Sequence, residues 1–323
     1  MERLKRTEKN TLTERVLQFG EGNFLRGFVD WMIDKLNKEN GGDYGVTIVQ
    51  PLAGGLVDKL NAQDGRYSLY LRGLLKGEKV EETRIVDCVT RGINPYTNTD
   101  EFFECAKNPD LRFIVSNTTE AGIEYKPNQN PDDFNGLTFP GRLTLFMKKR
   151  FDEGLKGFIL LPCELIDKNG DNLKECILKY SEDWGYGSEF EKWIETENHF
   201  TNTLVDRIVT GYPRDNAKEM EQSYGYLDDM IDTAEIFHLW VIEGDKKLAE
   251  EIPFHKIGLN VLWTDDVTPY KKRKVRILNG AHTMTVLAAH LAGLETVKDA
   301  MDDELVFSFM KQGIFEEIIP TCL

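Results

Sequence analysis

At 323 residues the chain is long enough for two domains, because single hydrophobic cores seldom grow past about 250–300 residues. Apolar residues make up 41%, aromatic residues 11% and charged residues 29%, which excludes a disordered or fibrous chain, and no apolar stretch nears the roughly 18 residues of a membrane span. The net charge of −15 argues against polyanion partners, since a nucleic-acid binder needs a basic surface to release counterions.

Five cysteines (Cys88, Cys105, Cys163, Cys176, Cys322) are scattered and never in CxxC spacing, so reduced thiols in a cytoplasmic setting are expected. The opening MERLKRTEKNTLTER has no apolar segment of the kind a secretory signal carries.

In chain order, the first signal is RVLQFGEGNFLRGFVDWMIDKLN. A short apolar strand, Val16 to Phe19, runs into Gly20-Glu21-Gly22. Phe24, Phe28, Met32 and Leu36 then recur at helical spacing. Strand, glycine turn and helix is the context a phosphate-binding loop needs, because glycines let the backbone approach a pyrophosphate and helix-start N–H groups face its charge. A strict GxGxxG would place its third glycine at Leu25, whereas Gly27 comes two residues late. This is a variant fingerprint, and an ordinary glycine turn is the alternative.

Val46 to Val49 reads as a second strand. In a dinucleotide fold the residue that ends it reads the adenosine ribose, usually as Asp or Glu for NAD. Here it is Gln50, which can hydrogen-bond a ribose hydroxyl without bringing charge, so the cofactor choice stays open on the residues alone. YSLYLRG and EETRIVDCVTR read as two strands around a turn at Lys76-Gly77-Glu78. TDEFFECAKNPD reads as a helix. The strand Leu111 to Ser116 follows, ending in Asn117-Thr118-Thr119-Glu120, polar groups at the edge where open α/β sheets collect ligands. Gly141 to Phe151 reads as a helix, and Gly157 to Leu161 as a buried strand ending in Pro162-Cys163-Glu164. The alternation predicts an α/β fold with a Rossmann-like, doubly wound sheet.

From about residue 172 the pattern turns helical, with DNLKECILKYSEDW and then SEFEKWIETENHF running into TLVDRIVTGYP. IFHLWVIEG and IGLNVLWTD read as strands of the main sheet or of a small second one. From Pro269 the chain reads as helical to its end, which divides it into a dinucleotide-binding domain, 1–268, and the opening of a mostly helical domain, 269–323.

The segment KVRILNGAHTM, 274–284, sets Lys274, Asn279 and His282 among apolar residues. On one α-helix, with Lys274 at 0°, His282 falls at about 80° and Asn279 at about 140°, a shared arc opposite Ile277, Ala281, Met284, Ala288 and Leu291. A buried helix carrying such a patch suits catalysis. A desolvated lysine can move a proton, and an asparagine can donate to a carbonyl or developing alkoxide. A lysine at a helix start also commonly snorkels to solvent, and a lone histidine is often a satisfied core residue. His199, His238, His255 and His290 are isolated, without HExxH or paired spacing, so no catalytic metal is expected.

These stretches resemble a known family. The K-x4-N-x2-H spacing of Lys274, Asn279 and His282 is similar to the catalytic signature of the polyol-specific long-chain dehydrogenases, the mannitol dehydrogenase family. GEGNFLRG resembles its GxGxFxR loop, TLVDRIVTGYPRD its VDRI segment, and LPCELIDKNGDNL a second nucleotide-side segment. Within the family, IVSNTTEAGI, FHLWVIEG and GLNVLWTDDVTPYKKRKVRILNGAHT are most like its keto-hexuronate reductases.

The resemblance implies an NAD-dependent, metal-independent oxidoreductase that interconverts a keto-hexuronate and its aldonate in hexuronate catabolism. Lys274 is implied as the general acid/base, Asn279 as the group that polarises the carbonyl, and His282 as a substrate contact or a brace for the lysine. Asn202 is implied to complete the oxyanion contacts. Gly20, Gly22, Asn23 and Phe24 are implied to hold the pyrophosphate, Gln50 the adenosine ribose, and Asn117 and Thr118 the nicotinamide ribose. Family members continue into a helical domain, of which the resemblance implies that only the opening is present here. Alternatives are another keto-hexuronate reductase, a mannitol-type polyol dehydrogenase, or a nucleotide-binding regulator that has lost the chemistry.

Overall fold

The computed structural model describes residues 1–75, 77–119 and 121–321. Lys76 of the expected turn, Glu120 and Cys322 therefore lie outside the described residues. The chain divides into two compact units, Met1–Asp265 and Asp266–Leu323.

The first unit is built on six strands, the inner ones largely buried: β1 (Glu14–Phe19), β2 (Gly45–Val49), β5 (Val89–Ile93), β6 (Phe113–Ser116), β7 (Ile159–Pro162) and β8 (His199–Phe200). All neighbours pair in parallel, in the order β5-β2-β1-β6-β7-β8. Numbered along the chain, this is the 3-2-1-4-5-6 order of the doubly wound dinucleotide fold, with its switch point between β1 and β6. Alternate residues feed opposite cores. Val16 packs with Phe28, Met32 and Ile48 on one face, while Leu17 and Phe19 pack with Phe102, Phe146 and Phe158 on the other. Each of these fully buried aromatics contributes on the order of 2–3 kcal/mol, and helices on both faces explain why the strands read as continuous apolar runs.

Two small sheets flank this one. The first joins β3 (Tyr67–Leu75), β4 (Glu78–Val86) and β10 (Asp232–Glu235) in the order β10-β3-β4. The second joins β9 (Asn202–Asp206), β11 (Leu239–Glu243) and β12 (Val261–Thr264) in the order β12-β11-β9.

Two sequence expectations are corrected here. EETRIVDCVTR is not one strand: it breaks at Asp87-Cys88 because the Asp87 N–H donates to Asp34 Oδ1 at 3.1 Å and the Cys88 thiol to the Asp30 carbonyl at 3.2 Å. The two halves then enter different sheets. TLVDRIV is also not helical. The preceding helix ends at Glu197, and residues 202–206 form β9, whose antiparallel ladder with β11 outweighs a helical pattern.

In the second unit a continuous helical run spans 268–291 and packs against the shorter helices Val297–Asp302 and Glu304–Gln312. Lys274–Asn279 within that run is a π-helical turn, closed by the Gly280 N–H donating to the Val275 carbonyl five residues back. The run is less buried within its unit than its pattern led one to expect. Ala281, Thr285 and Ala289 are covered, but Leu287 is 75% and Leu291 88% exposed.

Candidate active site

At the switch point β1 turns sharply. Gly20 adopts φ +129°, and a Cβ there would lie 3.2 Å from both the Asn117 carbonyl oxygen and Leu25 Cδ1, so the β1 and β6 turns touch through a bare backbone. Gly22 then caps a helical run over 23–40 with extended geometry and no side-chain cap. A Cβ on Gly22 would meet nothing within 4 Å, so the approach to this helix start is open. Asn23 is exposed and Phe24 half-buried, stacked on Phe28 at 5.1 Å.

The turn is held from beneath by Arg26, which is 1% exposed. Its guanidinium donates to the Glu21 carbonyl at 3.0 Å, the Asn23 Oδ1 at 2.8 Å and the Met230 carbonyl at 2.6 Å. Arg26–Asp30 is itself a π-helical segment. Asp30 is fully buried within it, accepting from Gln18 Nε2 and the Tyr67 hydroxyl, both at 3.3 Å. Burial pushes its carboxyl up to about 7, against the hydrogen bonds and the pull of Arg26.

Gln50, at the end of β2, is 2% exposed, and its amide is engaged by its own loop. Nε2 donates to the Leu52 carbonyl at 2.8 Å and the Ala53 carbonyl at 3.1 Å, while Oε1 accepts from the Val57 N–H at 3.4 Å.

At the end of β6, Asn117 Nδ2 donates to the Cys163 carbonyl at 2.8 Å. Thr118 donates from both its N–H and its hydroxyl to Glu164 Oε1, each at 3.0 Å, and Ser116 Oγ donates to Glu164 Oε2 at 3.0 Å. Burial raises the Glu164 carboxyl above its ordinary value, against these three hydrogen bonds that favour the anion.

Asn169 extends this lattice, donating to the Pro162 and Glu164 carbonyls and accepting from the Thr203 N–H. Asn202 is 4% exposed beside it. Its Nδ2 donates to Glu243 Oε1 at 2.9 Å and Asp171 Oδ2 at 3.2 Å, and its Oδ1 accepts from the Asp171 N–H at 3.1 Å.

Lys274, Asn279 and His282 belong to the second unit. Lys274 is half-buried, whereas Asn279 and His282 are exposed within the unit, which corrects the picture of a buried polar patch. The correction to the arc matters more. Five residues of α-helix span about 140°, but a turn closed by i→i+5 hydrogen bonds stacks residues five apart along one side. The π turn therefore begins at Lys274 and ends at Asn279. His282 follows in regular helix and lines a recess of about 530 Å³ with Ala281, Thr285, Val286, Met301 and Met310.

Residues 14–256 match the mannitol dehydrogenase Rossmann domain, and residues 266–323 match the mannitol dehydrogenase C-terminal domain. The chain belongs to the mannitol dehydrogenase family. It is 49% identical over 312 residues to the altronate oxidoreductases of Cronobacter sakazakii and of Shigella flexneri, covering 95% of this chain and 65% of each relative. It thus spans 65% of the length of these curated relatives. A substrate-free D-sorbitol dehydrogenase superposes with a TM-score of 0.82 at 25% identity, covering 96% of this chain and 66% of that one. The Pseudomonas fluorescens mannitol 2-dehydrogenase, in a ternary complex with NAD and D-mannitol, shares the fold with a TM-score of 0.78 at 21% identity, covering 96% of this chain and 65% of that one.

Two functional positions carry no expected role in the sequence: Arg26, the arginine of the GxGxFxR match, and Glu164, two residues beyond the end of β7. Both prove to be buried charges that hold site backbone. The available signal was a lone charge placed directly after a glycine turn or an apolar strand. Among the described residues no three His, Cys, Asp or Glu side chains gather as ligands for a metal ion. No helix of the described residues is long and apolar enough to cross a membrane.

Proposed function

We propose that the chain is an NAD(H)-dependent oxidoreductase acting on a small-molecule substrate in the cytoplasm, and that it reduces the keto group of D-tagaturonate to give D-altronate. The substrate rests on the 49% identity to altronate oxidoreductases over 95% of the chain. The cofactor rests on the first unit: the open, uncapped helix start at Gly22 beside a strained Gly20, at the switch point of a 3-2-1-4-5-6 sheet, fits a pyrophosphate.

In this reading Gly20, Gly22, Asn23 and Phe24 hold the pyrophosphate, Gln50 and its loop border the adenosine ribose, and Asn117 and Thr118 flank the nicotinamide ribose. NADH, when bound, supplies the hydride that adds to the carbonyl carbon. Lys274 gives a proton to the carbonyl oxygen in reduction and takes it back in oxidation. Asn279, one π turn away, donates a hydrogen bond to the same oxygen as negative charge develops there. His282 contacts a substrate hydroxyl or orients the lysine, and Asn202, with its partners Glu243 and Asp171, borders the substrate.

The test is loss of NADH absorbance with tagaturonate, fructuronate or fructose as acceptor, and gain of NADH absorbance with NAD and mannitol as donor. Tagaturonate should turn over fastest, and Lys274→Ala should cut turnover by roughly 10²-fold or more while NADH still binds. A protein that binds NADH yet consumes none with tagaturonate sinks the substrate assignment. Indifference of turnover to Lys274→Ala sinks the catalytic one.

A further inference from the structure

The acid that dinucleotide folds usually place at the end of the second strand is absent here, yet a carboxylate stands in its place. Glu21 lies between the two glycines of the β1 turn, 35 residues before the loop that follows β2, and its side chain crosses to that loop. Oε1 accepts from the Leu56 N–H at 3.3 Å. A Cβ on Gly55 would lie 2.3 Å from Glu21 Oε1 and 2.4 Å from Gln50 Oε1, so only glycine lets the loop close over the two side chains together. The carboxyl is 8% exposed, and its second oxygen, Oε2, is buried without a hydrogen-bond partner. An anionic acceptor left without a donor is costly, and burial accordingly raises the Glu21 carboxyl above its ordinary value.

We infer that Glu21 is the residue that selects NAD(H) over NADP(H), its carboxylate accepting from an adenosine-ribose hydroxyl and its charge excluding a 2′-phosphate. The inference rests on the dinucleotide reading above. It moves the discriminating role from Gln50 to the β1 turn, because the Gln50 amide is already bonded to Leu52, Ala53 and Val57. In this fold the ribose lies just beyond the end of the second strand, beside the glycine turn, and the Glu21 carboxyl has been brought to that strand end. The loop over 50–57 reads QPLAGGLV and offers no lysine or arginine to a phosphate. Arg142 reaches the same loop, but its guanidinium donates to the Phe134, Pro51 and Leu137 carbonyls and stacks on Tyr96 at 4.6 Å. The surroundings therefore satisfy a hydroxyl and oppose a second anion.

The experiment is fluorescence titration of the whole chain with NADH and with NADPH, for the wild-type protein and for Glu21→Gln. Two like charges a few ångströms apart at a partly screened site are worth more than a kcal/mol, so the wild type should bind NADH at least about tenfold more tightly than NADPH. Glu21→Gln keeps the shape and one acceptor oxygen while removing the charge. It should tighten NADPH roughly tenfold and change NADH no more than about threefold, collapsing the preference. Binding of NADH with an unchanged ratio in Glu21→Gln, or equal wild-type affinity for the two, overturns the inference while leaving the dinucleotide reading intact. Failure of the wild type to bind either overturns both. The wild-type ratio is informative even if the variant folds poorly.

Discussion

Glu164 and Thr118 form a closed ring: one carboxylate oxygen accepts from both the N–H and the hydroxyl of the same threonine, each at 3.0 Å. Through it the loop after β6 is tied to the end of β7, and Ser116 Oγ adds a third donor to the other oxygen. Glu164→Ala strands these donors in a site only 2% exposed, at about 1–3 kcal/mol for each group left unsatisfied. The expected result is a stability loss of about 3 kcal/mol in urea melts and an NADH affinity at least about tenfold weaker. Glu164→Gln retains an acceptor and should recover most of both. Full NADH affinity in the alanine variant would show that the Thr118 loop does not shape the cofactor site.

Gly20 and Gly22 make contrasting predictions because one is constrained by backbone and the other by space. Gly20→Ala places a Cβ at φ +129° and 3.2 Å from a neighbouring carbonyl oxygen, so it should lose about 1–3 kcal/mol of stability as well as cofactor binding. Gly22 has φ −65° and open space where a Cβ would go. Gly22→Ala should therefore melt like the wild type, yet weaken NADH by narrowing the approach to the helix start. Thermal melts paired with NADH titration separate the two, and unaltered NADH binding in both variants argues against a phosphate cradle here.

The parallel sheet was legible because strands covered on both faces must be mostly apolar, as the fully buried Ile159–Pro162 and Gly45–Val49 are. The glycine turn was legible for the same local reason. What escaped was written over long range. Asp232–Glu235 reads DTAE, too polar for a strand on its own, and is one because it pairs with β3. Arg26 meets Met230, 204 residues away, and Glu21 meets Leu56, 35 residues on, distances at which no periodicity speaks. The π turn at 274–279 escaped differently, since a single i→i+5 closure leaves no mark in an α-helical pattern.

The carboxyls beneath the β1 glycine turn should make stability fall as pH rises. Burial pushes Asp30 up to about 7 and Asp232 up to about 6, against the attraction of Arg26 in both cases and of Arg207 at Asp232. Above the ordinary carboxylate value the unfolded chain has already released these protons, while the folded chain still holds them. Their contribution is therefore complete below about pH 4 and is lost as pH climbs through about 6 and 7, at up to about 1.4 kcal/mol per pH unit for each group. Urea melts between about pH 5 and about pH 8 should show the decline, and Asp30→Asn, which still offers an acceptor to Tyr67, should flatten it. A slope identical in Asp30→Asn and wild type would place the effect elsewhere.

Lys274 and Asn279 should behave as one catalytic unit. In a regular helix five residues apart means about 140° of separation, and their effects on turnover would then be largely independent. Because the two residues bound a single π turn, both can serve the same oxygen, one giving its proton and the other steadying its charge. Removing either then removes much of what the other contributes, as happens for groups that act on one transition state. A double-mutant cycle on kcat/KM with Lys274→Ala, Asn279→Ala and the pair should give a coupling of about 1 kcal/mol or more, the double variant being little slower than Lys274→Ala alone. His290, which lies about three turns beyond Asn279 on the same helical run and is exposed, provides the control. Lys274→Ala combined with His290→Ala should add within about 0.5 kcal/mol. If the Lys274 and Asn279 effects add as simply as that control, the shared turn has no catalytic meaning.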